Sequence, residues 1–343
     1  MLSNKQLESI GISQWPDYGN TFDNTDIFIG NGFSINLFQA LSYNSLFTKF
    51  SEDCGSDVIK LFKAFNTSNF EYVMEALNNT QHVGTILGLD YSAISPVVER
   101  LKEGLIRTIG ETHPLYRDVN PSIFRSLAVD FMPFRNIFTT NYDVFLYKII
   151  LANNNLIDLK LIQSASFQDE FYVDMGKHRL GIGDDYENCR KIYYLHGALF
   201  LYHDRGMTYK FRKGGEDDEY IRMLRMEIAN GNIPLFVCEG KPDDKFNAIN
   251  NNYYLRSCGN ALKKNDKSDL VVYGSAFQSS DKHIVDWINQ ANPNNLITSL
   301  YVHDKSEESL KSEISRITNL FGNISVSFYD STSLFSFSEK HKF

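Results

Sequence analysis

Five short motifs place glycine, amide, carboxylate or imidazole groups directly after an apolar run. They are Gly30-Asn31-Gly32-Phe33-Ser34, Thr140-Asn141-Tyr142-Asp143, His196-Gly197, Glu239-Gly240 and Gly274-Ser275. The imidazole of His196 can take a proton near neutral pH, which suits a general base. The amide of Asn141 both donates and accepts, so it can hold a ribose hydroxyl or a water, and Asp143 can accept from a ligand amide. Gly30 and Gly32 let a backbone approach a pyrophosphate closely, and a helix beginning near Ser34 would aim free N–H groups at that anion. Glu239-Gly240 and Gly274-Ser275 are small exits suited to an adenosine or its phosphates. Each motif also has a plain structural reading. The glycine pairs can be tight turns, Thr140 or Asn141 can cap a helix with Asp143 in its first turn, and His196 can be a buried structural histidine. His283 and His303 are weaker candidates. Ser275 lacks the GxSxG context of a serine nucleophile.

Parallel strands buried on both faces read as short continuous apolar runs. Such runs occur at 26–29, 136–139, 192–195, 234–238, 269–273, 297–302 and 324–329. Helical spacing follows most of them: 35–41, 144–150, 245–264, 281–291 and 307–321, the last with Gly322 as a left-handed stop. Alternating strands and helices predict an α/β fold, a Rossmann-like parallel sheet flanked by helices. The ligand site is expected beyond the carboxyl ends of the strands, where all five motifs fall. Residues 44–130 predict a helical insertion, 163–190 hairpins or loops, and 200–233 a smaller insertion with one helix from 218 to 229. The 343 residues suit one large domain carrying these insertions.

A hydrophobic fraction of 43% and a charged fraction of 22% belong to a globular chain with a real core. The net charge of −8, with no basic stripe, argues against direct nucleic-acid binding. No apolar stretch reaches the length of a membrane span, and the polar N-terminus lacks the form of a signal peptide. Cys54, Cys189, Cys238 and Cys258 form no CxxC pair, which speaks against a zinc ribbon and for free thiols in a reducing cytoplasm.

Taken in order, the motifs resemble those of the sirtuin superfamily, whose pattern runs Gly-Ala-Gly-x-Ser, Thr-Gln-Asn-x-Asp, His-Gly, Phe-Gly-Glu, Gly-Thr-Ser. The matching stretches here are 30–34, 139–143, His196-Gly197, Cys238-Glu239-Gly240 and Gly274-Ser275-Ala276. The chain looks most like the sirtuin-like proteins of bacterial anti-phage defence. It departs from the deacylases in lacking the CxxC pairs and the Gly-Ile-Pro-Asp-Phe-Arg run, and in having Thr140 where they carry Gln. The resemblance therefore implies an NAD+ hydrolase without metal. Asn141 and His196 would be catalytic. Gly30, Asn31, Gly32, Phe33, Ser34, Thr140, Asp143, Glu239, Gly240, Gly274 and Ser275 would bind NAD+. Asn141 would hold the water or ribose, His196 would accept the proton, and Asp143 would grip the carboxamide. NADP stays an alternative substrate, because no arginine is assigned to a 2′-phosphate. Alternatives of other kinds are an NAD- or ADP-ribose-binding sensor, and a protein deacylase or ADP-ribosyltransferase. By the same analogy, control would come from homo-oligomerisation or a partner ATPase or other defence protein, with the two insertions as control surfaces.

Overall fold

The computed structural model describes residues 2–15, 25–176, 179–183, 189–212, 217–230, 232–238, 242–264 and 268–337. Along the chain, helix α1 (Asn4–Ser9) and the short strand β1 (Ile12–Ser13) precede β2 (Thr25–Ile29) and α2 (Gly32–Leu37). Helices α3 (Tyr43–Phe50), α4 (Ser56–Ala64), α5 (Phe70–Leu87), α6 (Ile94–Thr112) and α7 (Pro121–Asp130) fill the predicted helical stretch. Strand β3 (Phe134–Thr139), α8 (Phe145–Asp158), β4 (Phe167–Gln168), β5 (Phe171–Gly176), β6 (Arg179–Ile182) and β7 (Arg190–Tyr194) follow. Next come β8 (Leu201–Asp204), β9 (Met207–Phe211), α9 (Asp217–Ala229), α10 (Pro242–Asn251) and α11 (Tyr253–Lys263). The chain closes with β10 (Leu270–Tyr273), α12 (Lys282–Ala291), β11 (Asn295–Leu300), α13 (Glu307–Leu320) and β12 (Ser325–Asp330). No helix among the described residues is long and apolar enough to cross a membrane.

The expected parallel sheet is present. Eight strands run in the order β1-β12-β11-β10-β2-β3-β7-β4, and every pairing is parallel. Both β2 and β10 are buried along their whole length, as the apolar runs Ile27–Ile29 and Leu270–Tyr273 require. From β2 the chain builds outward through β3 to β7, then returns to lay β10, β11 and β12 on the other side. The junction of β2 and β10 is thus a topological switch point. Register levels the strand ends: Ile29 pairs with Thr139 and Tyr273, and Thr139 with Tyr194. The residues that follow these strands therefore emerge along one edge.

At the opposite edge, two buried polar anchors hold the sheet. Asp26 takes Arg135 through both carboxylate oxygens, at 3.0 and 2.9 Å, and accepts from the Asn136 backbone at 3.1 Å, tying β2 to β3. The guanidinium of Arg190 stacks on Phe167 and donates to the carbonyls of Phe131, Met132, Phe134 and Ala165 and to Asn153 Oδ1. It satisfies carbonyls at the end of α7 and the start of β3 that would otherwise be stranded inside.

Four sequence expectations need correction. The apolar run 234–238 is not a sheet strand. It touches the exit of β7 through one antiparallel bridge, Gly197 to Phe236, because β3 and β4 already occupy both edges of β7. The helix expected over 245–264 is two helices. Asn252 is extended (φ −108°, ψ 125°), and its side chain accepts from Leu255 N at 3.1 Å, capping α11. Gly322 is not left-handed. The insertion at 200–233 carries more than a helix: its β8-β9 hairpin joins the hairpin β5-β6, expected within 163–190, in a second, four-stranded antiparallel sheet, β5-β6-β9-β8. Pairing between β6 and β9 is a long-range contact that no local pattern signals.

The turns after β2 and β10 interlock. Gly30 N donates to Tyr273 O at 2.8 Å, and Gly32 N to Gly274 O at 2.9 Å. A Cβ on Gly30 would lie 2.6 Å from Gly274 O, and one on Gly274 would lie 2.8 Å from Phe33 N with φ at +70°. Gly30→Ala is expected to destabilise the fold by roughly 1–3 kcal/mol through overpacking. Gly322→Ala, whose Cβ meets nothing within 4 Å, should stay within about 0.5 kcal/mol of the parent. Urea denaturation of both variants checks this, and equal stabilities would refute the interlock.

Candidate functional site

A cleft of about 320 Å³ opens above the switch point. Its floor is Gly30, Asn31, Gly32, Gly274 and Ser275, and one side carries Thr140, Asn141, Asp143 and His196. A second lobe of about 780 Å³ shares the wall Gly32, Ile35, Gly274, Ser275 and Ala276 and adds Ser299, Tyr301, Lys305 and Glu313. Both volumes lie in the range of small-molecule sites.

Asn141 is the group the structure orients most clearly. Thr139 Oγ1 donates to Ile29 O and accepts from Asn141 N, both at 3.0 Å, so the end of β3 fixes the Asn141 backbone. Ser34, buried at the start of α2, donates its hydroxyl proton to Asp143 Oδ2 and accepts from Asn141 Nδ2 at 2.7 Å. A hydroxyl has one proton, and an ionised carboxylate can only accept. The proton therefore goes to Asp143, and Ser34 must receive one from Asn141. That direction determines the amide orientation. It leaves Asn141 Oδ1 buried at the cleft with no hydrogen-bond partner. A buried acceptor left bare is costly and calls for a donor from outside the chain.

Asp143 is not the free carboxylate the sequence suggested. Its second oxygen accepts from Phe145 N at 2.8 Å, closing the turn into α8. Neither Thr140 nor Asn141 caps that helix, whose preceding residue is Val144. His113, just after α6 in the helical insertion, accepts from Val144 N through Nε2 at 3.2 Å and lies 2.8 Å by Nδ1 from Pro114 O. Burial holds its pKa below the ordinary value, in keeping with an uncharged ring that bonds at both nitrogens.

His196 is almost fully buried beside Tyr142 and lines the cleft. Its Nε2 lies 2.8 Å from Nε2 of His283, near the start of α12. Burial pushes the pKa of His196 well down, and the neighbouring His283 and Lys245 act the same way. Burial also brings His283 down to about 4. Beside them the wholly buried Lys245 pairs with Asp281 at 3.2 Å. The glycine after His196 is obligatory: Gly197 has φ +82°, and a Cβ there would lie 1.9 Å from Leu235 O. The 234–238 segment is held over it, with Val237 N donating to His196 O at 2.9 Å.

The remaining expected residues divide. Phe33 faces away from the cleft into a ring cluster with Phe131, Tyr273, Phe335 and Phe337. The N–H groups of Gly32 and Phe33 are not aimed at an anion. They donate to Gly274 O and Gly30 O, so the short α2 offers less of an anion cradle than its sequence suggested. Glu239 and Gly240 lie outside the described residues. His303 sits beside Tyr301, whose ring borders the second lobe.

Several cleft residues were not anticipated. Leu41, Leu46, Leu105 and Ile109 form an apolar wall contributed by the helical insertion and the turn leading to it. Their helical spacing was legible, but it reads the same for a core stripe as for a cavity wall. Asp281 and Gln278 come from the loop after β10. Arg316 fastens that loop by donating to Ala276 O at 2.5 Å and Phe277 O at 3.1 Å. Phe277 packs into the core against Phe28 despite its φ of +45°.

An all-parallel α/β sheet with a switch-point cleft is the class this fold defines. The chain matches the DUF4917 family, a domain of unknown function, over residues 27–335, and it belongs to that family. Among curated proteins, none matches the chain.

Acid sensitivity follows from the histidine pair. His283 titrates near 4 in the folded chain against an ordinary value of 6.5. Below pH 6.5 the unfolded chain binds a proton that the folded chain refuses, so the His283 contribution to stability falls as pH drops from 6.5 toward 4 and is fully lost below. The shift corresponds to roughly 3 kcal/mol, and His196 adds in the same direction. Denaturation curves between pH 7 and pH 4 should show this fall, and His283→Gln should reduce it. A flat profile in the parent would contradict it.

Proposed function

We propose that this protein is an NAD+ hydrolase that cleaves the nicotinamide–ribose bond to give nicotinamide and ADP-ribose. The observation that carries the reading is the bare Asn141 Oδ1 at the cleft, oriented by Ser34 and Asp143, with the neutral His196 on the same wall. An acceptor so held suits a water or ribose hydroxyl, and a neutral imidazole is the form that accepts a proton. The two lobes suit a dinucleotide. The nicotinamide end would lie against the apolar wall and the adenosine end in the larger lobe, with the shared Gly274-Ser275 turn under the pyrophosphate.

In this mechanism nicotinamide leaves with the electron pair of the C–N bond, and positive charge builds on the ribose as in other glycoside cleavage. Asn141 Oδ1 aligns the attacking water, and His196 accepts its proton. Asp143 acts through Ser34, holding the Asn141 amide rather than gripping the carboxamide. The site of action proposed is the cytoplasm, with self-assembly or a partner ATPase as the control.

A second reading is an NAD- or ADP-ribose-binding sensor without turnover. What favours it is that both carboxylate oxygens of Asp143 are already engaged and His196 is nearly inaccessible.

Chromatography of purified protein incubated with NAD+ or NADP should show nicotinamide release. Asn141→Ala and His196→Ala should each lose about 100-fold or more in kcat. Ser34→Ala, which frees the Asn141 amide to turn, should lose roughly tenfold. Binding of NAD+ without cleavage at any protein concentration would favour the sensor. Absence of binding would end both readings.

A further inference from the structure

The reading above uses one histidine, yet the molecule buries two in contact. His196 and His283 are joined Nε2 to Nε2 at 2.8 Å, and both are almost fully buried. Such a bond needs one imidazole to donate and the other to accept, so the two tautomers are linked. With its Nε2 taken, His196 can present only Nδ1 to the cleft. Donor atoms of His196, His283 and Asp281 lie within 4.8 Å of one another, and the Asp281 side chain, on the wall of the same cleft, is 29% exposed. Two imidazoles thus link the Nδ1 edge of His196 to a carboxylate of the same cleft that reaches solvent.

We propose that His196 and His283 form a two-imidazole proton relay, in which His283 sets the tautomer of His196 and carries its proton out to Asp281. The proposal rests on His196 being the base of the reaction above. As water adds to the ribose carbon, its proton passes to His196 Nδ1. The proton on His196 Nε2 crosses to His283 Nε2, while nicotinamide leaves with the electrons of the broken bond. His283, now protonated at both nitrogens, loses the Nε2 proton to solvent past Asp281. His196 then gives its Nδ1 proton to cleft water and regains one at Nε2, so the base is restored and the net proton released is that of the water consumed.

The surroundings suit transient rather than stored charge. Burial and the Lys245 ammonium from α10 disfavour a protonated His283, while Asp281 before α12 and Asp286 within it favour one. Tyr142, beside His196, and Trp287, edge-on to His283, add no charge. Lys245 neutralises Asp281 without blocking its exposed side. His283 Nδ1 is buried without a partner, so that nitrogen keeps its proton and Nε2 is the atom through which the ring gains and loses one.

Two measurements on the full chain test the relay. The first needs no turnover. Nitrogen-15 NMR of the histidine rings should show one Nε2 protonated and the other bare, and His196→Ala should shift the tautomer of His283. The second follows NAD+ cleavage. His283→Gln keeps a hydrogen-bonding amide but cannot shuttle a proton. It should lower kcat about 100-fold with KM within about twofold, and added imidazole should restore activity to His283→Ala. A His283→Gln enzyme with parental kcat and pH profile would overturn the relay while leaving the hydrolase reading intact. A parent that never cleaves NAD+ would count against the hydrolase, and the NMR result alone would then decide the histidine pair. Two rings both protonated at Nε2 would overturn it. So would one zinc ion per chain lost in both histidine variants, because a metal would occupy the lone pairs the relay needs.

Discussion

Everything at the candidate site hangs on the backbone contact between the turns after β2 and β10. Gly30 and Gly32 lie so close to Gly274 that side chains are excluded from all three positions. The contact joins the two halves of the sheet where its strand order reverses, and it forms the floor shared by both lobes of the cleft. The glycines therefore do something different from what their spacing first suggests. They bring two stretches of the protein's own backbone together, and the groove between the halves of the sheet follows from that approach.

A chain of directed hydrogen bonds rises from this floor. Asp143, Ser34 and Asn141 come from two different strand exits, and they meet because β2 and β3 pair in register up to their ends. The carboxylate is the only member that can solely accept, so it dictates the direction of every bond after it. The outcome is an amide oxygen kept bare at a buried position, an arrangement that costs stability in the absence of a ligand. Folded proteins tolerate such costs mainly where a group must wait for something from outside.

The helical insertion takes part in the site as well as covering it. It supplies the apolar wall through Leu46, Leu105 and Ile109, and through His113 it braces the turn into α8 just behind Asp143. A change in the packing of α3 and α6 would alter the shape of the cleft and the support of its polar chain together.

The strands of the main sheet were largely legible in the sequence, because a parallel strand buried on both faces must be apolar throughout, and so was the gathering of the motifs at one edge. Asn141 and His196 stood out because a polar group straight after such a strand needs a partner. The sequence could not show the run 234–238 excluded from the sheet, since its composition matches a strand and only the occupied edges of β7 turn it away. Nor could it show Phe33 pointing into the core, Asp143 already bonded, or His283 against His196. Local composition and spacing determined which segments are buried and where chemistry can sit. Tertiary structure alone decided which way each polar atom points, because hydrogen-bond direction and imidazole pairing depend on partners up to about a hundred residues away in the chain.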